Sequence, residues 1–348
     1  MRESVAFHYF EKADDELHPT VEAGPVCLYL EVTNRCNLLC TTCPRTYETL
    51  EPEADMSWEL FTSIVGQFES VQRVVLHGVG EPMLVKDLPE RIKFLRKRGC
   101  YVLFNTNGTL LNEAAGERLI ESGLDEVRVS LDAADRSVFQ MVRGKDMFDR
   151  IVRNLAAFRR RQRELGIVFP RVSLWLTGLR ETIGQLEEFV RLAHRLDVLE
   201  VYLQRLVYFN EAPAGLARLE NSLFQQTSSR EEEIIQKAEE LARSLGVAFS
   251  ASGATEPGTS VKQRSGDRPW SLCRRPWTVM YFTANGRALP CCIAPFSVHG
   301  YDSYTLGDAT QQSLREIWNG DRYVDFRSRL TSSQPPRACA NCGVRWSL

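Results

Sequence analysis

The chain has 348 residues, 43% of them hydrophobic, with 43 Lys and Arg against 45 Asp and Glu for a formal charge of −2, enough for one large or two moderate domains with a real core. The near-neutral balance argues against nucleic acid as a partner and against an anionic membrane surface, and no run of about 18 apolar residues marks a membrane span. The start, Met1-Arg2-Glu3-Ser4-Val5, lacks the apolar stretch of a signal peptide, so a cytoplasmic location is expected, where the ten Cys argue for metal clusters rather than disulfides.

In chain order, an N-terminal extension over 1–24 leads into alternating strand-like and helix-like segments. The apolar runs predict strands over Val26 to Thr33, Arg73 to Leu76, Tyr101 to Asn105, Glu126 to Leu131, Val172 to Leu176 and Glu200 to Gln204. Between them the helical period predicts helices near Trp58 to Phe68, Leu88 to Arg98, Glu113 to Ser122, Asp146 to Arg163 and Ile183 to Arg195. The basic runs at 93–98 and 159–163 fall in these helices and read as solvated faces. Six β/α units imply a parallel sheet with helices outside, curved or partly closed, in a core domain over 25–250. Past Gln204 the pattern weakens to one charged helix, Arg230 to Leu245, and a Gly- and Ser-rich linker or lid over 251–270.

Functional loops of a parallel sheet lie at the carboxyl ends of its strands, and each motif falls there. After strand one comes Thr33-Asn34-Arg35-Cys36-Asn37-Leu38-Leu39-Cys40-Thr41-Thr42-Cys43-Pro44. Three thiolates on one loop can grip three irons of a 4Fe–4S cluster and leave the fourth open for a substrate or cofactor; zinc is the competing reading of Cys40-x-x-Cys43. After strand two comes His77-Gly78-Val79-Gly80-Glu81-Pro82, where glycines admit close backbone approach, Glu81 can organise the loop and Pro82 stiffens it. Asn105-Thr106-Asn107-Gly108 ends strand three, and Ser130-Leu131-Asp132 ends strand four, with Ser130 and Asp132 on one face by alternation.

The Cys36, Cys40, Cys43 loop resembles the signature of the radical S-adenosylmethionine (SAM) superfamily, and the strand before it and the loops after it match as well. Membership implies a partial (β/α)6 barrel, in which the open iron is chelated by the methionine part of SAM and a reduced cluster cleaves SAM to a 5'-deoxyadenosyl radical that abstracts hydrogen from substrate. The resemblance further assigns Gly78, Val79, Gly80, Glu81 and Pro82 to the SAM-binding GxGEP motif, Ser130 to the SAM ribose or carboxylate, and Arg143 of the Arg143-Gly144 pair to the SAM carboxylate. Strand-end capping by Ser130 and a surface salt bridge by Arg143 are the plain alternatives. Thr42 departs from the aromatic residue usual before the third Cys, which removes a surface for adenine packing there.

The second constellation is Cys273, Cys291 and the terminal pair Cys339-Ala340-Asn341-Cys342. The segment Tyr281 to Cys291 reads as a β-hairpin turning at Asn285-Gly286, and a helix is expected near Ser313 to Trp318. The layout over 271–348 resembles the twitch form of the SPASM domain, which implies one auxiliary 4Fe–4S cluster on these four Cys; tetrahedral zinc is the alternative for four thiolates. Cys292 is read as a neighbour without a ligand role, and Cys27 and Cys100 as small buried hydrophobes.

A fully ligated auxiliary cluster leaves no iron for substrate, so electron transfer or structural support is its expected work. With about 25 residues ahead of strand one, against about 80 for a small leader-binding domain, the expectation is a radical SAM oxidoreductase that dehydrogenates or epimerises a small polar metabolite. The expected partners are that small-molecule substrate and a flavodoxin- or ferredoxin-type electron donor. A SPASM-type maturase of a ribosomal peptide is the alternative, and a non-catalytic iron–sulfur scaffold a third reading.

Overall fold

The computed structural model describes residues 17–207, 215–223, 227–252, 256–261, 268–296 and 301–340. Its strands are β1 Cys27–Leu30, β2 Arg73–Leu76, β3 Tyr101–Thr106, β4 Glu126–Ser130, β5 Arg171–Gly178, β6 Glu200–Arg205, β7 Ala248–Ala251, β8 Val279–Phe282, β9 Arg287–Leu289 and β10 Gly307–Asp308. They form one ten-stranded sheet in the order β10-β9-β8-β1-β2-β3-β4-β5-β6-β7. From β8 through β1 to β7 every neighbouring pair is parallel, and β9 and β10 are added antiparallel. The sheet curves as a barrel that does not close, with its helices outside.

Alternation along each strand divides the apolar residues into two layers. Leu28 and Leu30 of β1 join Val74, Leu76, Val102, Phe104, Val127, Val129 and the helices in the outer core. Tyr29, Val75, Leu103 and Tyr281 form the inner cluster, within the curve of the sheet. The helices begin where a side chain can accept an otherwise unpaired N–H: Ser57 caps Trp58–Gly66, Asn112 caps Glu113–Glu121, and Ser228 with Glu231 forms a capping box on Ser229–Ser244.

Three features differ from the sequence expectation. Helix Arg136–Arg143 was not expected; Asp135 accepts from Ser137 and Val138 at its start, and Gly144, at φ 73°, ends it in the left-handed region. Strand β7 adds a seventh parallel strand from the weakly patterned Ala248–Ala251. The C-terminal hairpin continues the barrel sheet instead of standing apart, because the wholly buried run Val279–Phe282 pairs in parallel with the outer edge of β1, residue for residue from Cys27 to Leu30. The hairpin turn lies where expected, with Gly286 at φ 90°, and a helix forms at Leu314–Trp318. Only part of the expected linker is described.

The last helix, Asp321–Thr331, is anchored by Arg327. Its guanidinium donates to the carbonyls of Pro276 (2.8 Å), Pro19 (3.0 Å) and Trp318 (2.8 Å) and lies over the Trp318 and Tyr323 rings. Residues 17–24 are thereby packed onto the C-terminal part, with the indoles of Trp277 and Trp318 donating to His18 and Ala23. Among the described residues, no helix is long and apolar enough to cross a membrane.

Candidate functional site

The loop after β1 is held by side chains that donate to its backbone carbonyls. Arg45 donates to the carbonyls of Cys36 (3.1 Å) and Leu38 (3.0 Å), Lys145 to that of Asn37 (2.7 Å), and Thr46 to that of Cys40 (2.9 Å). The Thr41 N–H donates to Val142 O at 2.8 Å, which ties the loop to helix Arg136–Arg143. Cys36, Cys40 and Cys43 consequently line one cleft at the carboxyl ends of the strands, together with Gly78 to Glu81, Ser130, Asp132 and Arg143. The cleft has room for water over about 210 Å³.

The donor set fits an iron–sulfur cluster. Asn107 Nδ2 approaches Cys36 Sγ at 3.9 Å and Arg143 Nη1 approaches Cys40 Sγ at 3.5 Å, so a hydrogen bond is aimed at each of two sulfurs. Burial pushes the Cys36 thiol up, and burial with neighbouring Cys40 pushes Cys43 up to about 12; these thiols need bound cations to ionise. Among the described residues, no three Cys, His, Asp or Glu side chains converge closely enough for a single metal ion.

The Gly78 to Pro82 loop packs against β1 and its loop with no room to spare. A Cβ on Gly78 would sit 2.1 Å from Glu31 Oε2, and one on Gly80 2.1 Å from Thr33 O. Glu81 organises the loop as its position suggests: Oε1 accepts from Met83 N–H (3.1 Å) and Thr106 Oγ1 (2.8 Å), and Oε2 from Asn107 N–H (2.7 Å). Its carboxylate is thus spent inside the protein. Burial raises its pKa, and these hydrogen bonds oppose the shift.

Ser130 and Asp132 both line the cleft. Asp132 adopts φ 61°, accepts from Thr177 N–H at 2.7 Å and pairs with Arg143 Nη2 at 2.6 Å. The Arg143 side chain is 11% exposed, so this is a buried pair and not a surface one. Burial alone would lower the Arg143 pKa, but Asp132 and the thiols of Cys40 and Cys36 outweigh it and the net shift is upward. Its Nε has no hydrogen-bond partner among the described residues.

Residues not singled out by the sequence reading complete the walls. His77 stacks on Phe296, with ring centres 6.3 Å apart, and burial holds its pKa near 4, so the imidazole is neutral. Trp175 stacks on Tyr202 at 3.9 Å, with Arg128 over the indole at 4.7 Å. Alternation from the buried Val75 would have placed His77 on the inner face, and the same count places Trp175 there. Beneath the loops, Glu31 is fully buried and accepts from Val79 N–H (2.7 Å), Tyr281 Oη (3.0 Å) and Ala284 N–H (3.2 Å).

A second, apolar pocket is lined by Cys273, Cys291 and Cys339 with Trp270, Phe326 and Leu330. Cys342 lies outside the described residues. Three thiols on one apolar pocket fit a cluster shielded from water. Adjacent Cys292 turns the other way and lines the first cleft, and Ile293 borders both. Cys27 and Cys100 are buried, as expected of small hydrophobes.

Comparison with known proteins gives two family matches: the radical SAM superfamily over residues 30–193, and the iron–sulfur cluster-binding SPASM domain over 273–343. The tungsten-containing aldehyde ferredoxin oxidoreductase cofactor-modifying protein of Pyrococcus furiosus is 24% identical over 91% of this chain and 87% of its own length. A mycofactocin maturase of Mycolicibacterium smegmatis is 26% identical over 92% of this chain and 76% of its own length. The PqqA peptide cyclase of Streptomyces rochei is 27% identical over 92% and 83%. Among solved structures, Streptococcus suis SuiB bound to its precursor peptide SuiA superposes with a TM-score of 0.70 at 17% identity, covering 92% of this chain and 77% of that one; at that identity the likeness is one of fold. The expectation of a small-molecule substrate is corrected by these matches, since relatives aligned along nearly the whole chain include a mycofactocin maturase and a peptide cyclase.

Proposed function

As a member of the radical SAM superfamily that carries a C-terminal SPASM domain, this chain is, we propose, a maturase that modifies a ribosomal peptide. The cofactors are SAM and two 4Fe–4S clusters. The observation that carries the peptide reading is similarity to a maturase and a peptide cyclase over 92% of the chain, which spans both cluster regions.

In this reading Cys36, Cys40 and Cys43 hold the first cluster, and Cys273, Cys291, Cys339 and Cys342 the auxiliary one. When bound, the first cluster and SAM supply a radical able to remove a hydrogen atom from an unactivated carbon. The chain's own residues place that chemistry. The backbone of Gly78 to Pro82 receives the methionine part of SAM, and Ser130 and Arg143 face it from β4 and the following helix. Asp132 keeps the Arg143 cation in place beside Cys40. His77, Phe296, Trp175 and Tyr202 give the substrate side of the cleft apolar, neutral walls that exclude water from a reactive intermediate.

The test is to incubate anaerobically reconstituted, reduced protein with SAM and short peptides encoded beside its gene. The expected result is deoxyadenosine release with a mass change in one peptide, both absent from the Cys36→Ala, Cys40→Ala, Cys43→Ala triple variant. Unmodified peptides together with release stimulated only by small metabolites would overturn it.

A further inference from the structure

Glu31 links parts of the chain that the family motifs treat separately. It follows β1 on the path into the cluster loop and is wholly buried. Oε2 accepts from Val79 N–H at 2.7 Å and from the Tyr281 hydroxyl at 3.0 Å, and Oε1 accepts from Ala284 N–H at 3.2 Å. Val79 is the centre of the Gly78-Val79-Gly80 turn, whereas Tyr281 lies on β8 and Ala284 in the hairpin turn. Gly78 packs directly on it: a Cβ there would lie 2.1 Å from Oε2, so the carboxylate or the turn would have to shift.

A second carboxylate grips the same turn. Glu51, 8% exposed, accepts from Thr283 Oγ1 (3.2 Å) and Asn285 Nδ2 (3.3 Å) and pairs with Arg287 Nε (3.2 Å). The hairpin turn is therefore clasped to the core from two sides. Its return strand β9 leads directly to Cys291 in the auxiliary pocket and Cys292 in the main cleft. An apolar residue at position 31 would join β1 to β8 at a lower desolvation cost. The carboxylate does something an apolar residue cannot: it fixes the direction of one N–H in the cofactor loop and holds it to the hairpin.

We infer that Glu31 is a positioning residue that couples the auxiliary hairpin to the SAM loop, so that SAM binds tightly only while Tyr281 and Ala284 hold the carboxylate against Val79. The coupling needs no shared ligand between the two cluster sites. It rests on the reading of Gly78 to Pro82 as the SAM loop.

The test measures SAM dissociation constants and iron per chain on the anaerobically reconstituted full chain. Glu31→Gln puts an amide where three donors converge, and about tenfold weaker SAM binding with unchanged iron is expected. Tyr281→Phe removes one donor and should weaken binding severalfold. The double variant should be no weaker than Glu31→Gln alone, because both changes act through one carboxylate. Gly80→Ala is the control for the loop reading. Glu31→Gln binding within about twofold of wild type while Gly80→Ala is weakened overturns the coupling alone; wild-type binding by Gly80→Ala overturns the loop reading beneath it. Additive effects of the two substitutions also overturn the coupling. Should Glu31→Gln lose iron, Tyr281→Phe decides: weakened binding at full iron supports the coupling, and unchanged binding or parallel loss of iron and affinity overturns it.

Discussion

Gly80→Ala presses the loop proposed to receive SAM against the backbone of the Cys loop. The added Cβ would lie 2.1 Å from Thr33 O and 2.8 Å from Arg35 O, both backbone atoms that no rotamer change can move, whereas ordinary contact begins at 3.4 Å. The two segments must separate by about 1.3 Å, the difference between 3.4 and 2.1 Å, and the Glu81 N–H to Arg35 O bond of 2.8 Å is lost as they part. Overpacking of this kind costs about 1–3 kcal/mol and the hydrogen bond about 1 kcal/mol, together about 2–4 kcal/mol. If the displaced loop bears that cost, SAM affinity falls by about thirtyfold to several hundredfold. Equilibrium SAM binding on reconstituted protein measures it, with iron per chain as the check that the neighbouring Cys loop survives. Gly66→Ala is the matched control, because nothing lies within 4 Å of its Cβ. Wild-type affinity in Gly80→Ala at full iron would refute the reasoning.

Further outcomes follow from buried charges and thiols. Burial lifts the Glu31 carboxyl from 4.5 to about 7, so its contribution to stability is full below the unfolded value and is lost as pH rises through about 7. From pH 5 to pH 8 wild type should lose about 2–3 kcal/mol relative to Glu31→Gln, read from urea midpoints in the same metal state, and parallel pH curves would contradict it. The comparison must be between proteins because His77, lowered to about 4 by burial, has the opposite sign: its stability is present above its unfolded value and is lost as pH falls. Asp132→Asn strips the buried Arg143 of its counter-charge and should cost about 3–5 kcal/mol, seen as a lower melting temperature; an unchanged melting temperature would show that the pair contributes nothing. Cys339→Ser should lower iron from about eight to about four per chain, whereas full iron would remove Cys339 from the auxiliary site.

Much of the fold was legible because parallel, buried strands and amphipathic helices are read within a few residues. Arg73 to Leu76 was bounded correctly, and Trp58 to Phe68 and Leu88 to Arg98 to within two residues. The placing of the Cys36 to Cys43 loop and the Gly78 to Pro82 turn at strand ends was legible for the same reason: Cys spacing and glycine sterics are local properties. The helix Arg136–Arg143 and strand β7 were not, since a short helix defined by its caps and a four-residue strand carry little periodic signal. The substrate class was misjudged from the length ahead of β1, and similarity to whole relatives corrected it.

By itself, then, the sequence determined the strand–helix alternation, the two groups of Cys and the place of the motif loops at the strand ends, all set by neighbours in the chain. Tertiary structure decided that β8 docks on the free edge of β1, that Cys291 and Cys292 face different cavities, that Arg143 is neutralised by Asp132, and that Glu31 joins Val79 to Ala284. The reason is physical: a strand edge, a buried charge and a buried carboxylate must each find a partner, and here those partners are far away in sequence.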